Sequence, residues 1–416
     1  MKYKRKDLLK SFLRYTPLYK KTFRAIQSKE FYEQLLINHI NKYIEEVPYY
    51  HKYKNINEKS FDIRRFPIIR KPDIQGHETE FVSTKVNKHL LLKEKTGGST
   101  GWSLTLFRSF QDVTKSSAYV NYMFSLIGKD LRIAVLRGNK PKEGIYECIS
   151  SKKIILSSYS LSPESLETYL DILRKNRISC IHAYPSSISI LARLIKNKYG
   201  TIQLPDLKGI LTSSEIFSRE EKLLVSEVFP GVKIVDFYGM SERCCCAYSI
   251  GLGYYHFIQD YGYTEYIDTG EKKGDNTIAE IVATSIMNTT MPFIRYGTED
   301  YVEIDNEGNI VGIIGRSSDF IINKNRDIVP CIVLTRNESK KNVINFQFYQ
   351  DTPGILEYRA VVSDQFTEKE REMLVNDLTN SFDNKMTCKV VVVSSIERTK
   401  IGKQKRLIQK LDLSKY

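Results

Sequence analysis

The sequence predicts an α/β protein in two parts, and three features carry that prediction. Over residues 131–238, apolar runs rich in strand formers alternate with amphipathic stretches of helical period, the pattern of a parallel sheet joined by crossover helices. From 254 to 315 strand-like runs follow one another closely, as in antiparallel β structure. After about residue 317 a smaller α+β stretch follows. With 416 residues the chain is too long for one ordinary core. The expected division is a large N-terminal domain over 1–317, with parallel sheets, crossover helices and a β-rich subdomain, and a small α+β C-terminal domain over 318–416.

The elements follow in order. "EFYEQLLINHINKYIEEV" repeats apolar residues every three or four positions until Pro48 stops it, which predicts a helix. "LRIAVLRG" (131–138) reads as a strand. "PESLETYLDILRKNR" reads as a helix with Leu166, Tyr169, Leu170 and Leu173 on one face. Strand "ISCIHAY", helix "SSISILARLIKNKYG" ending at Gly200, strand "LKGILTS", helix "SREEKLLVSEVFPG" capped by Ser218, and strand "VKIVDFY" complete the alternation. The β-rich part reads "YYHFIQDY", "TEYIDT", "AEIVATSI", "FIRYGTEDYVEID" and "IVGIIG", with turns at "KKGDN" and "NEGN". The last part holds strand "YRAVVS", helix "TEKEREMLVNDLTNSF", strand "CKVVVVS" and a basic tail.

Composition narrows the class. No apolar run approaches the twenty residues of a membrane span, and the basic start "MKYKRKDLLKSF" has no apolar core of a secretory signal. Seven cysteines without framework spacing point to a reducing, cytoplasmic setting. Cys244, Cys245 and Cys246 with His256 are poorly spaced for zinc, and buried free thiols are the preferred reading. The net charge of +14 favours anionic partners. No nucleic-acid module accompanies it, so nucleic acid is not the expected partner. The basic N-terminal stretch suggests peripheral attachment to an anionic membrane surface, against the plainer reading of a solvated helical face.

In an open parallel sheet, ligands bind at the carboxyl ends of the strands. The three predicted strand ends carry Tyr184-Pro185-Ser186-Ser187, Thr212-Ser213-Ser214-Glu215 and Tyr238-Gly239-Met240-Ser241-Glu242. Each group alone is an ordinary helix start; three together favour a polar ligand site. Glu242 beside Ser241 has the hard oxygen chemistry that suits Mg²⁺ on a phosphate. "KTGGSTGW" (95–102) is a loop able to wrap an anion, yet it matches neither the Walker loop nor the dinucleotide fingerprint. In "ERTKIGKQKR" (397–406) a tight turn presents Lys403, a charge suited to a developing anion.

In this order the motifs resemble the adenylate-forming superfamily of acyl-CoA synthetases, luciferases and adenylation domains, and within it the phenylacetate–CoA ligase branch and its CapK-like proteins of polysaccharide biosynthesis. "KTGGSTGW" resembles the TSGSTG phosphate loop, "LTSSEIFSREE" the GAE segment, "DFYGMSE" the YGxSE motif, "MPFIRYGTED" and "GRSSD" the RYxxGD and GRxDD segments, and "ERTKIGKQKR" the RTxxGKxxR motif. "VPYYHKY" and "FPIIRKPDIQ" resemble two N-terminal segments of the branch.

The resemblance implies roles. Thr96, Gly97, Gly98, Ser99, Thr100 and Gly101 contact the β- and γ-phosphates of ATP. Glu215 and Tyr238 lie by the adenine, Gly239 belongs to the cofactor site, Ser241 touches the α-phosphate, Glu242 binds Mg²⁺, and Asp300 holds the ribose with Arg316 nearby. Tyr184, Ser213 and Ser214 line the acid's pocket, Ser318 marks the hinge, and Lys403 neutralises charge as a carboxylate attacks the α-phosphate. An acyl-adenylate then passes its acyl group to a thiol, of CoA or a carrier, or to an amine. The chain departs from the pattern at Trp102-Ser103, at Glu299 in place of glycine, and at Ser318-Asp319. A nucleotide-binding relative without catalysis is the alternative that the altered loop leaves open. The identity of the acid, the acceptor and the oligomeric state are not specified by these motifs.

Overall fold

The computed structural model describes residues 16–28, 33–54, 61–96, 104–316, 320–330, 342–382, 384–399, 402–412 and 415. Gly97, Gly98, Ser99, Thr100, Gly101, Trp102, Ser103, Ser318 and Asp319 lie outside them. The chain forms a mixed α/β fold whose contacts gather into two compact units: Met1–Lys129, Phe237–Ser249 and Gly253–Gly312 in the first, Asp130–Asp236, Ile250–Leu252 and Ile313–Tyr416 in the second.

In the first unit the helix expected before Pro48 runs Glu33–Glu46 and buries Leu36, Ile40, Tyr43 and Ile44. An 18-residue helix, Phe110–Ile127, has no counterpart in the sequence reading. Its start is a capping box: the Ser109 hydroxyl accepts from Asp112 N at 3.2 Å, and Asp112 Oδ2 accepts from Ser109 N at 3.3 Å. The β-rich part is antiparallel as expected, with strands Gly262–Lys273, Asn276–Ser285 and Tyr296–Ile304 in chain order. One irregularity matters. The pairing moves from Glu280↔Tyr301 to Val282↔Gly297, so Thr298, Glu299 and Asp300 stand opposite Ile281 alone. The Thr298 hydroxyl fastens this bulge, donating to Ile281 O at 2.7 Å and accepting from Asp300 N at 3.1 Å.

In the second unit the predicted alternation is realised. Strands Ile133–Leu136, Cys180–Ala183 and Gly209–Ser213 run parallel, and Lys153–Leu156 joins parallel on the far side of Ile133–Leu136. Tyr146–Ser150 closes that edge antiparallel, a hairpin absent from the sequence reading. Helices Leu166–Lys175, Pro185–Tyr199 and Arg219–Val228 are the crossovers. Leu166, Tyr169, Leu170 and Leu173 are buried, so the face read from helical spacing is the packed face. Ser218 caps the third helix, accepting from Glu221 N at 3.3 Å. A second sheet orders Thr387–Val392, Ile355–Val362, Val343–Gln350 and Leu407–Gln409, with helix Glu368–Ser381 covering its core. The two sheets of this unit are joined by packing: Ile344 belongs to the core of the parallel sheet, and partly buried Arg193 donates to Ile344 O at 3.2 Å.

Candidate active site

The parallel register sets Leu136 beside Ala183 and Ala183 beside Thr212, so the three strands end together. The residues that follow form one cluster at that edge. Tyr184 stands just before helix Pro185–Tyr199, where Pro185 occupies the first turn without losing a hydrogen bond. Ser213 is buried at its strand end, and Ser214 takes φ +73°, a left-handed conformation that side chains adopt at a cost. Glu215 accepts from Ser186 N at 3.0 Å on one oxygen and from Gln404 N at 2.8 Å on the other. Burial pushes its carboxyl above the usual range, against these donors.

Arg137 belongs to the same cluster and was not read from the sequence. It follows strand Ile133–Leu136 and donates to His182 Nε2 at 3.1 Å and Ser214 Oγ at 2.8 Å, with its guanidinium 4.9 Å from the Tyr184 ring centre. The signal available was an arginine followed by glycine at the end of "IAVL".

The C-terminal turn reaches this edge. Thr399 and Lys403 close it, Thr399 N donating to Lys403 O at 2.8 Å and Lys403 N to the Thr399 hydroxyl at 3.1 Å. Gly402 inside it has φ +79°, and a Cβ there would stand 2.5 Å from Gly138 Cα and 2.5 Å from the Tyr159 hydroxyl. Only glycine meets both conditions. Around the turn, Arg398 donates to Ser158 Oγ at 3.2 Å and Arg406 pairs with the buried Glu221. Burial alone would raise the Glu221 carboxyl, but Arg406 and Arg193 outweigh it and hold it below the usual range. Thus Lys403 sits one residue from the N–H that engages Glu215, although 188 positions separate the two residues in sequence.

The first unit holds the other expected residues. Thr96 lies buried at the neck of the "KTGGSTGW" loop, its hydroxyl accepting from Leu104 N at 2.9 Å, and strands Leu92–Lys95 and Thr105–Arg108 pair beneath it. Arg108 joins this hairpin to the YGMSE segment: it pairs with Glu94 at 2.6 Å and donates to Ser241 O at 2.6 Å. Glu242 is buried. Its Oε1 accepts from the Tyr296 hydroxyl at 3.2 Å, and Oε2 has no hydrogen bond from any described residue. A buried carboxylate with an oxygen to spare fits a Mg²⁺ ligand. Tyr238 donates to Asp300 Oδ2 at 2.8 Å, bringing together two residues expected at the nucleotide. A Cβ on Gly239 would press on the Phe237 ring at 3.2 Å. Arg316 ends strand Ile310–Arg316. Cys244, Cys245 and Cys246 are buried, and burial pushes their thiols far above the usual value, so they are poor thiolate ligands.

Glu299, the departure from the family pattern, takes φ +60° in the bulge, where a glycine would be unstrained. Its carboxylate lies 3.6 Å from Nζ of the nearly buried Lys71. The neighbouring Arg70 holds Glu280 through both oxygens at 2.6 and 2.9 Å. Ile69 pairs with Tyr296, and a Cβ on Gly297 would meet Arg70 Nη1 at 2.9 Å. "FPIIRKPDIQ" is therefore a strap along the bulge that carries Asp300.

Comparison with known proteins agrees with this architecture. Residues 321–410 match the CapK C-terminal domain. The chain is 24% identical over 410 residues to Protein CapK of Staphylococcus aureus, covering 93% of this chain and 89% of that one. Among solved structures it resembles 2-hydroxyisobutyryl-CoA ligase in the postadenylation state with 2-HIB-AMP, with a TM-score of 0.66, 15% identity, and 90% of this chain and 88% of that one covered. It also resembles an anthranilate CoA ligase in complex with anthranoyl-AMP, with a TM-score of 0.50, 13% identity, and 77% and 67% covered. The chain thus resembles CapK in its C-terminal part and has the fold of the adenylate-forming CoA ligases, the likeness its motifs express.

Proposed function

We propose that this protein activates a carboxylic acid with ATP, forming an acyl-adenylate and pyrophosphate, and then passes the acyl group to a thiol or amine. The observation that carries the reading is the Lys403 turn held against the strand-end cluster by Gln404 N on Glu215. A carboxylate oxygen attacks the α-phosphorus in line, the new P–O bond replaces the bond to the β-phosphate oxygen, and pyrophosphate leaves with that electron pair. Lys403 supplies a fixed positive charge where negative charge builds, and Glu242 would hold Mg²⁺, which neutralises phosphate charge when bound. Thr96 and the loop after it take the β- and γ-phosphates, Ser241 the α-phosphate, Glu215 and Tyr238 the adenine with Gly239 in the same nucleotide site, and Asp300 with Arg316 the ribose. Tyr184, Ser213 and Ser214 line the acid's pocket. In this proposal residues 318–416 form a mobile domain hinged at Ser318, and CoA is one candidate thiol.

The test is ATP–pyrophosphate exchange across a panel of acids. Exchange with at least one acid, abolished in Lys403→Ala with ATP binding retained, is the expected outcome. Undiminished exchange in that variant overturns the assignment, and ATP binding without exchange for any acid favours a non-catalytic nucleotide-binding relative. The likeness to CapK extends the proposal to surface-polysaccharide synthesis in the cytoplasm. Peripheral attachment to anionic membrane is part of it too: Lys20, Lys21 and Arg24 line one hollow on helix Pro17–Ser28, while no helix among the described residues is long and apolar enough to cross a membrane. Sedimentation with phosphatidylserine vesicles at varied salt tests that part.

A further inference from the structure

Arg137 has no ion-paired carboxylate among the described residues, and Glu215 acts on it only through space. Its hydrogen bonds go to His182 Nε2 at 3.1 Å and Ser214 Oγ at 2.8 Å, and its face covers the Tyr184 ring. Nε is buried and has no acceptor among the described residues. Glu215, the carboxylate that acts on it through space, already accepts from two backbone N–H groups. Burial pulls the guanidinium's pKa down, and Tyr184 and Glu215 oppose it only in part, so the desolvated charge is incompletely compensated. Ser214, which holds Nη2, is exposed and sits in a left-handed conformation, so the protein maintains a strained residue to keep this arginine at the strand-end cluster.

We infer that Arg137 binds a second anionic group on the acid, so that the substrate is a carboxylic acid bearing a further carboxylate or phosphate. This rests on the adenylation reading. The reacting carboxylate itself is a poor partner for Arg137. Its charge disappears when the adenylate forms, and a guanidinium on the attacking oxygen would hold the electron pair that must reach phosphorus. A cation fixed on the sheet is matched by an anion that survives the reaction. The planar fork of arginine suits an oxyanion, and His182 and Ser214 fix its plane before the ligand arrives.

The experiment is ATP–pyrophosphate exchange with matched pairs: straight-chain dicarboxylic acids against their monoamides, and phosphorylated hydroxy acids against the unphosphorylated acids. The wild type is expected to prefer the dianionic member, and Arg137→Gln to reduce that preference by about 10–100-fold in kcat/KM ratio, the range for losing a charge-assisted hydrogen bond. Arg137→Lys should recover part of it. Thermal-shift protection by the preferred diacid, present in the wild type and absent in Arg137→Gln, reads the same contact without turnover. A wild type indifferent to the second anion, or a variant with the preference intact, overturns the inference. A variant that lowers both members of each pair equally assigns Arg137 a structural role and also overturns it. Exchange with no acid defeats the adenylation reading separately, and the thermal shift then decides for or against Arg137.

Discussion

Replacing Glu299 by glycine is expected to weaken the protein even though the backbone there suits glycine. At φ +60° an L-residue carries strain of about 1–2 kcal/mol, which glycine removes. The greater freedom of glycine in the unfolded chain offsets about 0.5–1 kcal/mol of that gain. The substitution also removes the only carboxylate paired with Lys71 among the described residues, 3.6 Å from Nζ. The Lys71 side chain is 6% exposed and that of Glu299 26%. Orphaning a fully buried charge costs about 3–5 kcal/mol, and this partial exposure scales it to about 2–3 kcal/mol. The net loss is about 1–2 kcal/mol. Glu299→Gln loses the charge and keeps the strain, so it should fall lower still. Lys71→Met combined with Glu299→Gly removes the orphan and should return to the wild-type level. Urea unfolding midpoints at unchanged slope give the order. A higher midpoint for Glu299→Gly with Lys71 intact refutes the reasoning, since the pair would then contribute nothing.

Three further outcomes are expected. Gly402→Ala should lower adenylation by at least tenfold, because its Cβ would stand 2.5 Å from Gly138 Cα; pyrophosphate exchange measures this, with ATP affinity as the control. Tyr238→Phe removes the donor on Asp300 and should weaken ATP binding by about 5–10-fold, read by calorimetry, with little change in unfolding midpoint. For Glu221 the folded pKa is lowered from 4.5, so its stabilising contribution is present above that value and is lost as pH falls through the folded pKa. Hydrogen exchange of segment 402–407 should rise over that acid window in the wild type, and less in Glu221→Gln. Glu215 has the opposite sign: its pKa is raised from 4.5, so its contribution is full below that value and lost as pH rises through the folded pKa.

The parallel sheet was legible because strand and helix periods alternate cleanly, and Leu166, Tyr169, Leu170 and Leu173 fell on the buried face as read. Helix Phe110–Ile127 was not legible: polar residues such as Thr114, Ser117 and Asn121 interrupt its apolar stripe, and only the Ser109–Asp112 box marked it. Tyr238 and Asp300 were legible as motif residues, but their 2.8 Å hydrogen bond required a bulge that no local pattern announces. Arg137 escaped because an arginine after a strand is ordinary until three other strand-end residues close around it. Lys71 escaped because a lysine beside a proline reads as surface, and its burial depends on a strand more than 200 residues away.

The contacts that hold the Lys403 turn are unevenly dispensable. Glu221 serves twice: Oε2 accepts from Ser218 N at 3.2 Å in the helix cap and also takes Arg406. If the turn withdrew, the cap would still give that carboxylate a donor, so losing Arg406 leaves it partly satisfied. Glu215 differs. Without Gln404 N its remaining donor among the described residues is Ser186, and burial already raises its pKa. Departure of the turn is therefore costliest at Glu215, where an incoming donor from a ligand would offset most of the loss.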